Sequence, residues 1–198
     1  MTHPTGRTAD HDIAPVFLDR WSPRAFTGEA MPQETLLSLF EAARWAPSAG
    51  NGQPWHFVYG HRGSEAFRTI YDTLDEGNRR WTDKASVLLI IVSRTHRRNT
   101  EGEMRPIYTH AFDTGTAWGY LALQAIHAGY YAHGMGGLDR QKAQEVLGVP
   151  DGFRVEAAVA IGKIAPKETL PEDLEKREVP SGRRKVEEFV SEGRFIAR

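Results

Sequence analysis

The segment ASVLLIIVS (residues 85–93) is a nearly unbroken run of apolar and β-branched residues with a serine near each end. A run of this length and composition is typical of a β-strand that is buried on both faces, because no alternate position is polar. We therefore expect a central strand here, with packed layers of the protein covering both of its faces.

Helical and extended patterns alternate loosely on either side of this strand. Pro32 and Glu34 mark the start of a long amphipathic helix that ends before Pro47, and residues 110–130 have the pattern of a second long helix. Apolar residues at 13–21 have helix-like spacing. The other expected elements are strands at 55–60, 130–138 and 153–164, one or two helices at 63–81, and a short helix at 139–149. With one sheet and this alternation, the residues alone predict an α+β or an α/β protein.

The 198 residues are expected to form one domain, since no repeat and no shift in composition divides them. Residues 1–12 are polar and are expected to be flexible. Residues 165–198 are charged, interrupted by proline and without an apolar core, so an extended C-terminal arm is expected. Residues 94–110 have the polarity of a long loop, and such loops are often functional.

Composition excludes several classes of function. The absence of cysteine excludes disulfides, a catalytic thiol and thiolate metal sites. Lys and Arg together number 25 against 26 Asp and Glu, which argues against a general nucleic-acid binder. No apolar run is long enough for a transmembrane helix and no signal-peptide core is present, so the default expectation is a cytoplasmic protein without membrane contact. No metal-ligand spacing is found, and no metal is expected.

The first candidate site is RWSPR (residues 20–24), where two arginines flank a serine. Guanidinium groups donate paired hydrogen bonds to phosphate, and a serine hydroxyl adds a further donor. The alternative is a solvated surface with a turn at the proline. A weaker candidate of the same kind is RRK (residues 183–185), for which the alternative is a solvated run of charge.

Two further candidate sites are rich in small residues. PSAGNGQP (47–54) lies between a helix and a strand, and the side-chain amides of Asn51 and Gln53 are suited to the edge of a heteroaromatic ring. GMGG (134–137) follows a strand and offers bare backbone N–H groups, although it lacks the G-x-G-x-x-G pattern of dinucleotide folds. The alternatives are an ordinary connection and a glycine-rich turn.

Together these stretches offer cations for a phosphate, amides for a heterocycle and bare backbone for a flat ring, and so predict a site for a phosphorylated aromatic cofactor. The order Arg-x-Ser-x-Arg, long helix, Pro-Ser-x-x-Asn-x-Gln-Pro-Trp, glycine cluster and late arginine resembles the nitroreductase family of flavin enzymes over residues 13–190. The resemblance implies an α+β fold in which helices flank a central, mostly antiparallel sheet, in an intertwined homodimer.

The resemblance also implies two FMN molecules in clefts at the dimer interface, each lined by both subunits. The FMN-binding residues that it implies are Arg20, Trp21, Ser22, Arg24, Pro47, Ser48, Ala49, Asn51, Gln53, Gly134, Met135, Gly136, Gly137 and Arg183, with Arg184 as a substitute for Arg183. It implies that Arg20, Ser22 and Arg183 bind the phosphate end of FMN. Residues 47–53 would come from the partner subunit, and a backbone N–H near Gly136 would donate to the flavin N5. No catalytic side chain is expected, because the flavin carries the chemistry.

The implied reaction is a ping-pong sequence. NADH or NADPH reduces the flavin and leaves, and a flat electron-poor acceptor such as a nitroaromatic compound or a quinone then takes its place. Tyr108 and Phe112 are expected to form the variable wall of the acceptor pocket, while His56, His110 and His133 are interpreted as structural. The alternatives are other chemistry on the same fold (dehalogenation, flavin fragmentation), a flavin-binding protein without turnover, or a plain interaction module.

Overall fold

The structure is a computed structural model that describes residues 5–197. Its α-helices are α1 (Val16–Asp19), α2 (Gln33–Arg44), α3 (Glu65–Tyr71), α4 (Glu76–Thr82), α5 (His110–His127), α6 (Arg140–Val146) and α7 (Glu172–Glu175). Its strands are β1 (Trp55–His61), β2 (Val87–Arg94), β3 (His96–Arg98), β4 (Met104–Pro106), β5 (Tyr131–Met135) and β6 (Phe153–Gly162). Short 3₁₀ turns occupy Ala49–Asn51, Lys167–Thr169 and Val186–Glu188.

Four strands form one sheet in the order β1-β2-β6-β5, and β3 pairs with β4 in a separate hairpin. Every pairing in the four-stranded sheet is antiparallel. The α+β fold with a central antiparallel sheet is therefore confirmed, and the α/β alternative is excluded because the described sheet contains no parallel pair.

Strand β2 lies inside the sheet, and its side chains alternate between two apolar cores. The even-numbered residues of 88–92 enter a core shared with α3, α4 and α6. The odd-numbered residues of 87–91 enter a core shared with α2 and α5. The burial of both strand faces that the sequence of residues 85–93 predicts is confirmed, and the sheet lies between two helical layers.

The segment at 94–110 is not a structureless loop, because it carries the β3–β4 hairpin. The Asn99 side-chain oxygen accepts hydrogen bonds from the backbone N–H groups of Glu101 (3.0 Å) and Glu103 (2.9 Å) and so closes the turn. These bonds are local and join polar groups. Hydrophobic periodicity does not register them, which is why the sequence pattern missed the hairpin.

The described parts of the two terminal segments contact each other, through hydrogen bonds of Arg7 to Ser181 and of Asp10 to Val186. Residues 5–12 form neither helix nor strand, and residues 1–4 and 198 lie outside the described part of the chain, so the flexibility of 1–12 stays a prediction. The C-terminal segment has two buried anchors, Leu174 and Glu178, and is exposed throughout 181–197. None of the described helices is both long and apolar enough to cross a membrane.

Candidate functional site

The RWSPR segment leaves α1 and runs beside β5. Nη1 of Arg20 lies 3.4 Å from Oγ of Ser22, so the two predicted phosphate ligands share one side of the segment. Trp21 turns away from them, is 9% exposed and meets the Tyr131 ring edge-on at a centroid distance of 6.3 Å. The Trp21 side chain therefore belongs to the packing, which leaves only its backbone for a ligand.

Arg20 interacts with two other arginines, Arg183 from the C-terminal arm and Arg7 from the N-terminal segment. Burial, followed by repulsion from Arg183 and then from Arg7, lowers the pKa of the Arg20 guanidinium. Burial and then Arg183 lower the pKa of Arg7 as well. The hydrogen-bond partners of these three side chains within residues 5–197 are carbonyl and hydroxyl oxygens and include no carboxylate. A cluster of cations in which Arg7 and Arg20 are half-buried and Arg183 is exposed favours an anion.

Arg7 is a member of the cluster that sequence reasoning missed. The sequence assigns it to a polar tail, and nothing in the spacing of residues 1–12 indicates a contact with Arg183, which is far away along the chain. Of the neighbouring Arg183 and Arg184, Arg183 is the one that interacts with Arg20 and Arg7. The Arg184 guanidinium lies instead over the Phe189 ring, 5.9 Å from its centroid.

Arg24 does not belong to the cluster, because it pairs with the buried Glu178. Nη1 of Arg24 lies 3.4 Å from Oε2 of Glu178, whose side chain is 2% exposed. The other oxygen of Glu178 accepts the backbone N–H groups of Arg24 (2.5 Å) and Ala25 (2.9 Å). Glu178 thus holds the RWSPR segment from the arm, and it leaves Arg24 with less positive charge to offer a ligand than Arg20 has. One glutamate in a charge-rich arm carries no sequence signal for this role.

The loop at 47–54 contains two residues in an uncommon backbone conformation. Asn51 has φ of 52° and Gln53 has φ of 43°, in the left-handed region that residues other than glycine seldom adopt. The Gln53 side-chain amide nitrogen donates to Oδ1 of Asn51 at 3.1 Å, so the two predicted amide ligands lie together. Pro47, Ala49, Asn51 and Gln53 are all exposed, and strain held in this way is a feature of ligand-binding segments.

Polar groups of Asp113, Arg94 and Ser48 fix this loop in place. The backbone N–H of Ala49 donates to Oδ2 of Asp113 at 3.2 Å, and the same carboxylate oxygen accepts the hydroxyl of Thr109 at 2.9 Å. On the other side, Nη2 of Arg94 donates to the Gly52 carbonyl at 2.9 Å, and Oγ of Ser48 accepts the N–H of Gln53 at 3.0 Å. Asp113 and Arg94 therefore set the conformation of the amide-bearing loop, and sequence reasoning assigned neither of them a role.

Two glycines of the GMGG segment are favoured by packing, Gly137 more strongly than Gly134. A Cβ atom at Gly137 would overlap the side chains of Asp75 and Asn78, and one at Gly134 would lie 3.2 Å from the Trp118 ring. The structural interpretation of the glycine cluster therefore holds for these two positions. It does not reduce the access of a ligand to their backbone, because Gly134 is itself exposed.

Gly136 differs from its neighbours, because it is exposed and a Cβ atom there would meet nothing within 4 Å. Packing does not require glycine at this position, and its bare backbone is open to a ligand. Met135 is 3% exposed and packs into a core, so only its backbone is accessible. Gly136 is thus the best placed of the four residues to bring a backbone N–H group against a flat ligand.

The predicted acceptor wall is strongly exposed. Tyr108 is 91% exposed and Phe112 is 78% exposed, next to and within the first turn of α5. His110 anchors that turn, since its Nδ1 lies 2.8 Å from Oγ of Ser93, which in turn donates to Glu156. Exposed aromatic side chains on an anchored helix end are suited to contact with a partner or a ligand.

The other two histidines, His56 and His133, also have structural contacts close to the candidate sites. His56 meets the Phe153 ring edge-on at 5.0 Å, and burial followed by repulsion from Arg94 lowers its pKa. His133 places Nδ1 2.9 Å from the Pro23 carbonyl and its ring 4.6 Å from that of Trp81. Since a carbonyl only accepts, Nδ1 of His133 is the donor and supports the RWSPR segment.

The pKa of His133 predicts how stability depends on pH. Burial, the largest cause, lowers this pKa, and the hydrogen bond to Pro23 opposes it. The unfolded chain therefore takes up protons first as the pH falls below about 6.5, and the free energy of unfolding should fall from pH 7 to pH 5. His133→Asn keeps a donor but does not titrate, so its decline should be shallower. Urea denaturation at pH 7, 6 and 5 checks this, and equal declines in both proteins would contradict it.

Within residues 5–197, no three or more His, Cys, Asp or Glu side chains are grouped so that they could hold a metal ion.

An antiparallel sheet between two helical layers, with an arginine cluster, an amide-bearing loop and bare glycine backbone at its surface, defines an α+β protein equipped to bind an anionic ligand. The particular family follows from the sequence profile that this chain matches. The chain belongs to the nitroreductase family, whose profile covers residues 18–73 and 59–163. The resemblance drawn from the sequence motifs is confirmed.

The chain is also similar to individual proteins. A solved structure described as an oxidoreductase containing FMN is 51% identical, with a TM-score of 0.97 and full coverage of both chains. An uncharacterised 15.4 kDa protein of Mycolicibacterium smegmatis is 32% identical over 149 residues, which are 70% of this chain and 96% of that protein. An Archaeoglobus fulgidus protein, provisionally named an NADH dehydrogenase/NAD(P)H nitroreductase, is 24% identical over 144 residues, 72% of this chain and 80% of its own length.

Proposed function

We propose that this protein is an FMN-dependent oxidoreductase that takes electrons from NADH or NADPH and passes them to a flat, electron-poor acceptor such as a nitroaromatic compound or a quinone. The observation that carries the proposal is the cluster of Arg7, Arg20 and Arg183, whose hydrogen-bond partners in the described part of the chain include no carboxylate. Family membership and the FMN named for the 51% identical structure support the cofactor. The name of the Archaeoglobus relative supports the electron donor.

The residues present fit FMN at both of its ends. Arg20, Ser22 and Arg183 supply charge-assisted donors for the phosphate, and the exposed backbone at Gly136 suits the ring. Bound FMN supplies an atom, N5, that accepts and gives hydride. The protein's part is to hold the phosphate, present an N–H group to the ring and exclude water from its face. Arg24 takes a secondary role beside the cofactor because Glu178 neutralises it.

The complete set of proposed FMN-binding residues keeps every member inferred from the resemblance, with Trp21 and Met135 contributing backbone only and Arg183 preferred over Arg184. The exposed residues of the 47–54 loop, Pro47, Ala49, Asn51 and Gln53, face the cofactor of a second subunit, with Ser48 shaping the loop. The functional unit is thus a homodimer. Trp45 and Phe195, 69% and 90% exposed in the single chain, are the kind of surface that such an interface covers.

Donor and acceptor take turns at one flavin face in a ping-pong sequence, and Tyr108 and Phe112 form the wall against which the acceptor stacks. Their exposure in the single chain and their place at the anchored start of α5 support this role. The Asp75 carboxylate, the acid–base group beside Gly137, accepts the backbone N–H of Asn78 as the cap of α4, and we assign no acid–base side chain to the reaction. The acceptor is therefore selected by its shape and its electron affinity rather than by a catalytic group.

The decisive experiment is anaerobic reduction of the purified protein loaded with FMN. Mixing with NADH and, separately, with NADPH should bleach the flavin absorbance at ~450 nm, and an added nitroaromatic compound or quinone should restore it. Apoprotein that does not bind FMN would exclude a flavoprotein. Bound FMN that neither nicotinamide reduces would indicate a flavin carrier instead. Reoxidation by halogenated aromatics with release of halide would favour the dehalogenation alternative.

Gly136→Ala tests the proposed contact with the ring. Its methyl group has free space in the apoprotein, so the free energy of unfolding should change by no more than about 0.5 kcal/mol. In the complex it stands where the ring approaches the backbone, so the Kd for FMN should rise by about tenfold or more, roughly 1.4 kcal/mol. Flavin-fluorescence titration measures this. Gly77→Ala, at an exposed position of α4, is the control, and equal FMN affinity in both variants would refute the contact.

A further inference from the structure

Arg7 joins two parts of the chain that are far apart in sequence. Its Nε donates to the carbonyl of Ser181 at 3.0 Å, and its Nη1 donates to the carbonyls of Leu18 at 3.1 Å and Arg20 at 2.6 Å. One guanidinium group thus contacts the backbone of the RWSPR segment and the backbone of the C-terminal arm. The rigid fork of an arginine is suited to such a bridge, because its donors point in fixed directions.

The arm residue that Arg7 holds is directly connected to Arg183. Nη1 of Arg183 donates to Oγ of Ser181 at 3.0 Å. A second contact between the same segments follows further along, where Oδ2 of Asp10 accepts the backbone N–H of Val186 at 2.9 Å. The N-terminal segment therefore fixes the arm on both sides of Arg183.

This connection opposes an electrostatic force. Arg183 is repelled by both Arg20 and Arg7 when no anion lies between them, and this repulsion acts to move the arm away from the body. Beyond the buried anchor Glu178, every residue of 181–197 is exposed, so apolar packing contributes little to holding Arg183 in place. The hydrogen bonds of Arg7 to Ser181 and of Asp10 to Val186 are two described contacts that oppose that movement.

We propose that Arg7 is a positioning residue of the phosphate site, which holds the arm bearing Arg183 against the segment bearing Arg20 and so makes the protein selective for flavin that carries a phosphate. This inference rests on the proposed function. It assigns a role in cofactor selection to the N-terminal segment, which the motifs of the sequence place outside the site. The affinity for riboflavin, which has the same ring without the phosphate, should not depend on Arg7.

The test compares Arg7→Ala, Arg7→Lys and the wild type. Arg7→Ala should raise the Kd for FMN by about tenfold or more while the Kd for riboflavin stays within about twofold. Arg7→Lys keeps the charge, but a single ammonium group cannot reach carbonyls on two segments at once, so most of the loss should remain. Arg68→Ala removes an exposed arginine that pairs with Asp72 on α3, and it should leave both affinities unchanged.

A second readout does not need flavin. Hydrogen–deuterium exchange on the apoprotein should show faster exchange over 181–188 in Arg7→Ala than in the wild type, including the amide of Val186, because the arm has lost its hydrogen bond to Arg7 and keeps the one to Asp10. Exchange in the four-stranded sheet should be unchanged. Exchange over 181–188 that matches the wild type would show that Arg7 does not hold the arm.

The remaining outcomes are equally decisive. Equal losses of FMN and riboflavin affinity in Arg7→Ala would overturn phosphate selectivity. Wild-type FMN affinity in Arg7→Lys would show that Arg7 acts through its charge alone, and would overturn its role in positioning the arm. A wild-type protein that binds neither flavin would refute the proposed function instead, and with it the link to FMN. In that case the exchange experiment alone decides whether Arg7 positions the arm.

Discussion

Replacing Arg20 with alanine is expected to weaken FMN binding by about 1.5–3 kcal/mol, which is the contribution of a hydrogen bond to a charged group. The expectation follows from the place of Arg20 in the arginine cluster, beside the hydroxyl of Ser22 and close to Arg183. Removing Arg20 takes away one cation and its hydrogen-bond donors from the phosphate site. The fold should tolerate the change, because burial and repulsion already oppose the charged form of Arg20 in the apoprotein.

Fluorescence titration with FMN and with riboflavin measures the effect. The Kd for FMN should rise by about 10- to 150-fold, and the Kd for riboflavin should change little. Arg183→Ala should behave in the same way. Arg184→Ala should stay near the wild type, because its guanidinium group lies over Phe189 rather than beside Arg20. An FMN affinity that survives Arg20→Ala would remove Arg20 from the phosphate site and leave the cluster without its proposed ligand.

The fold was largely predictable because its main signals are local or periodic. The apolar run at 85–93 is buried on both faces in β2, and Pro32 directly precedes α2 as its N-cap. The 63–81 region resolves into α3 and α4, whose starts are capped by Ser64 and Asp75. Hydrophobic periodicity and capping residues carry this information in a few neighbouring positions, so one sequence is enough to find them.

The candidate site was predictable only where a motif marks it. Arg20, Ser22 and the amides of the 47–54 loop stand in recognisable order, and the structure places Arg20 beside Arg183 as the motifs suggest. The residues that support them were missed, because each acts across a long separation in sequence through a single polar contact. Asp113 accepts the N–H of Ala49, and Arg7 reaches Ser181 from the other end of the chain. No spacing rule links such pairs.

Glu178→Ala is expected to lower the free energy of unfolding by about 2–4 kcal/mol, more than any other single change considered. The substitution removes the acceptor of the backbone N–H groups of Arg24 and Ala25, and leaving such buried donors without a partner costs roughly 1–3 kcal/mol each. It also deprives the Arg24 guanidinium of a buried partner. Urea denaturation at pH 7 measures the loss, with the m-value reporting whether the native state stays compact.

Glu172→Ala is the matched control for Glu178→Ala. Glu172 lies in the same C-terminal segment and pairs with Lys176 on the surface, at 2.6 Å, so its loss should cost no more than about 0.5 kcal/mol. If Glu178→Ala is as mild as this control, the backbone of the RWSPR segment does not depend on the arm. A destabilisation of the expected size would make Glu178 a structural anchor whose effect on FMN passes through the position of Arg20.

Glu178→Gln separates the two parts of this contact. Its amide oxygen still accepts the N–H groups of Arg24 and Ala25, whereas its NH₂ group faces the Arg24 guanidinium without a negative charge. Recovery of most of the lost stability would show that the backbone donors, rather than the charge of Arg24, are what Glu178 serves. Arg24 would then be freed from its ion pair in a folded protein. Its effect on the reduction of bound FMN by NADH or NADPH could be measured with the cluster of Arg7, Arg20 and Arg183 intact.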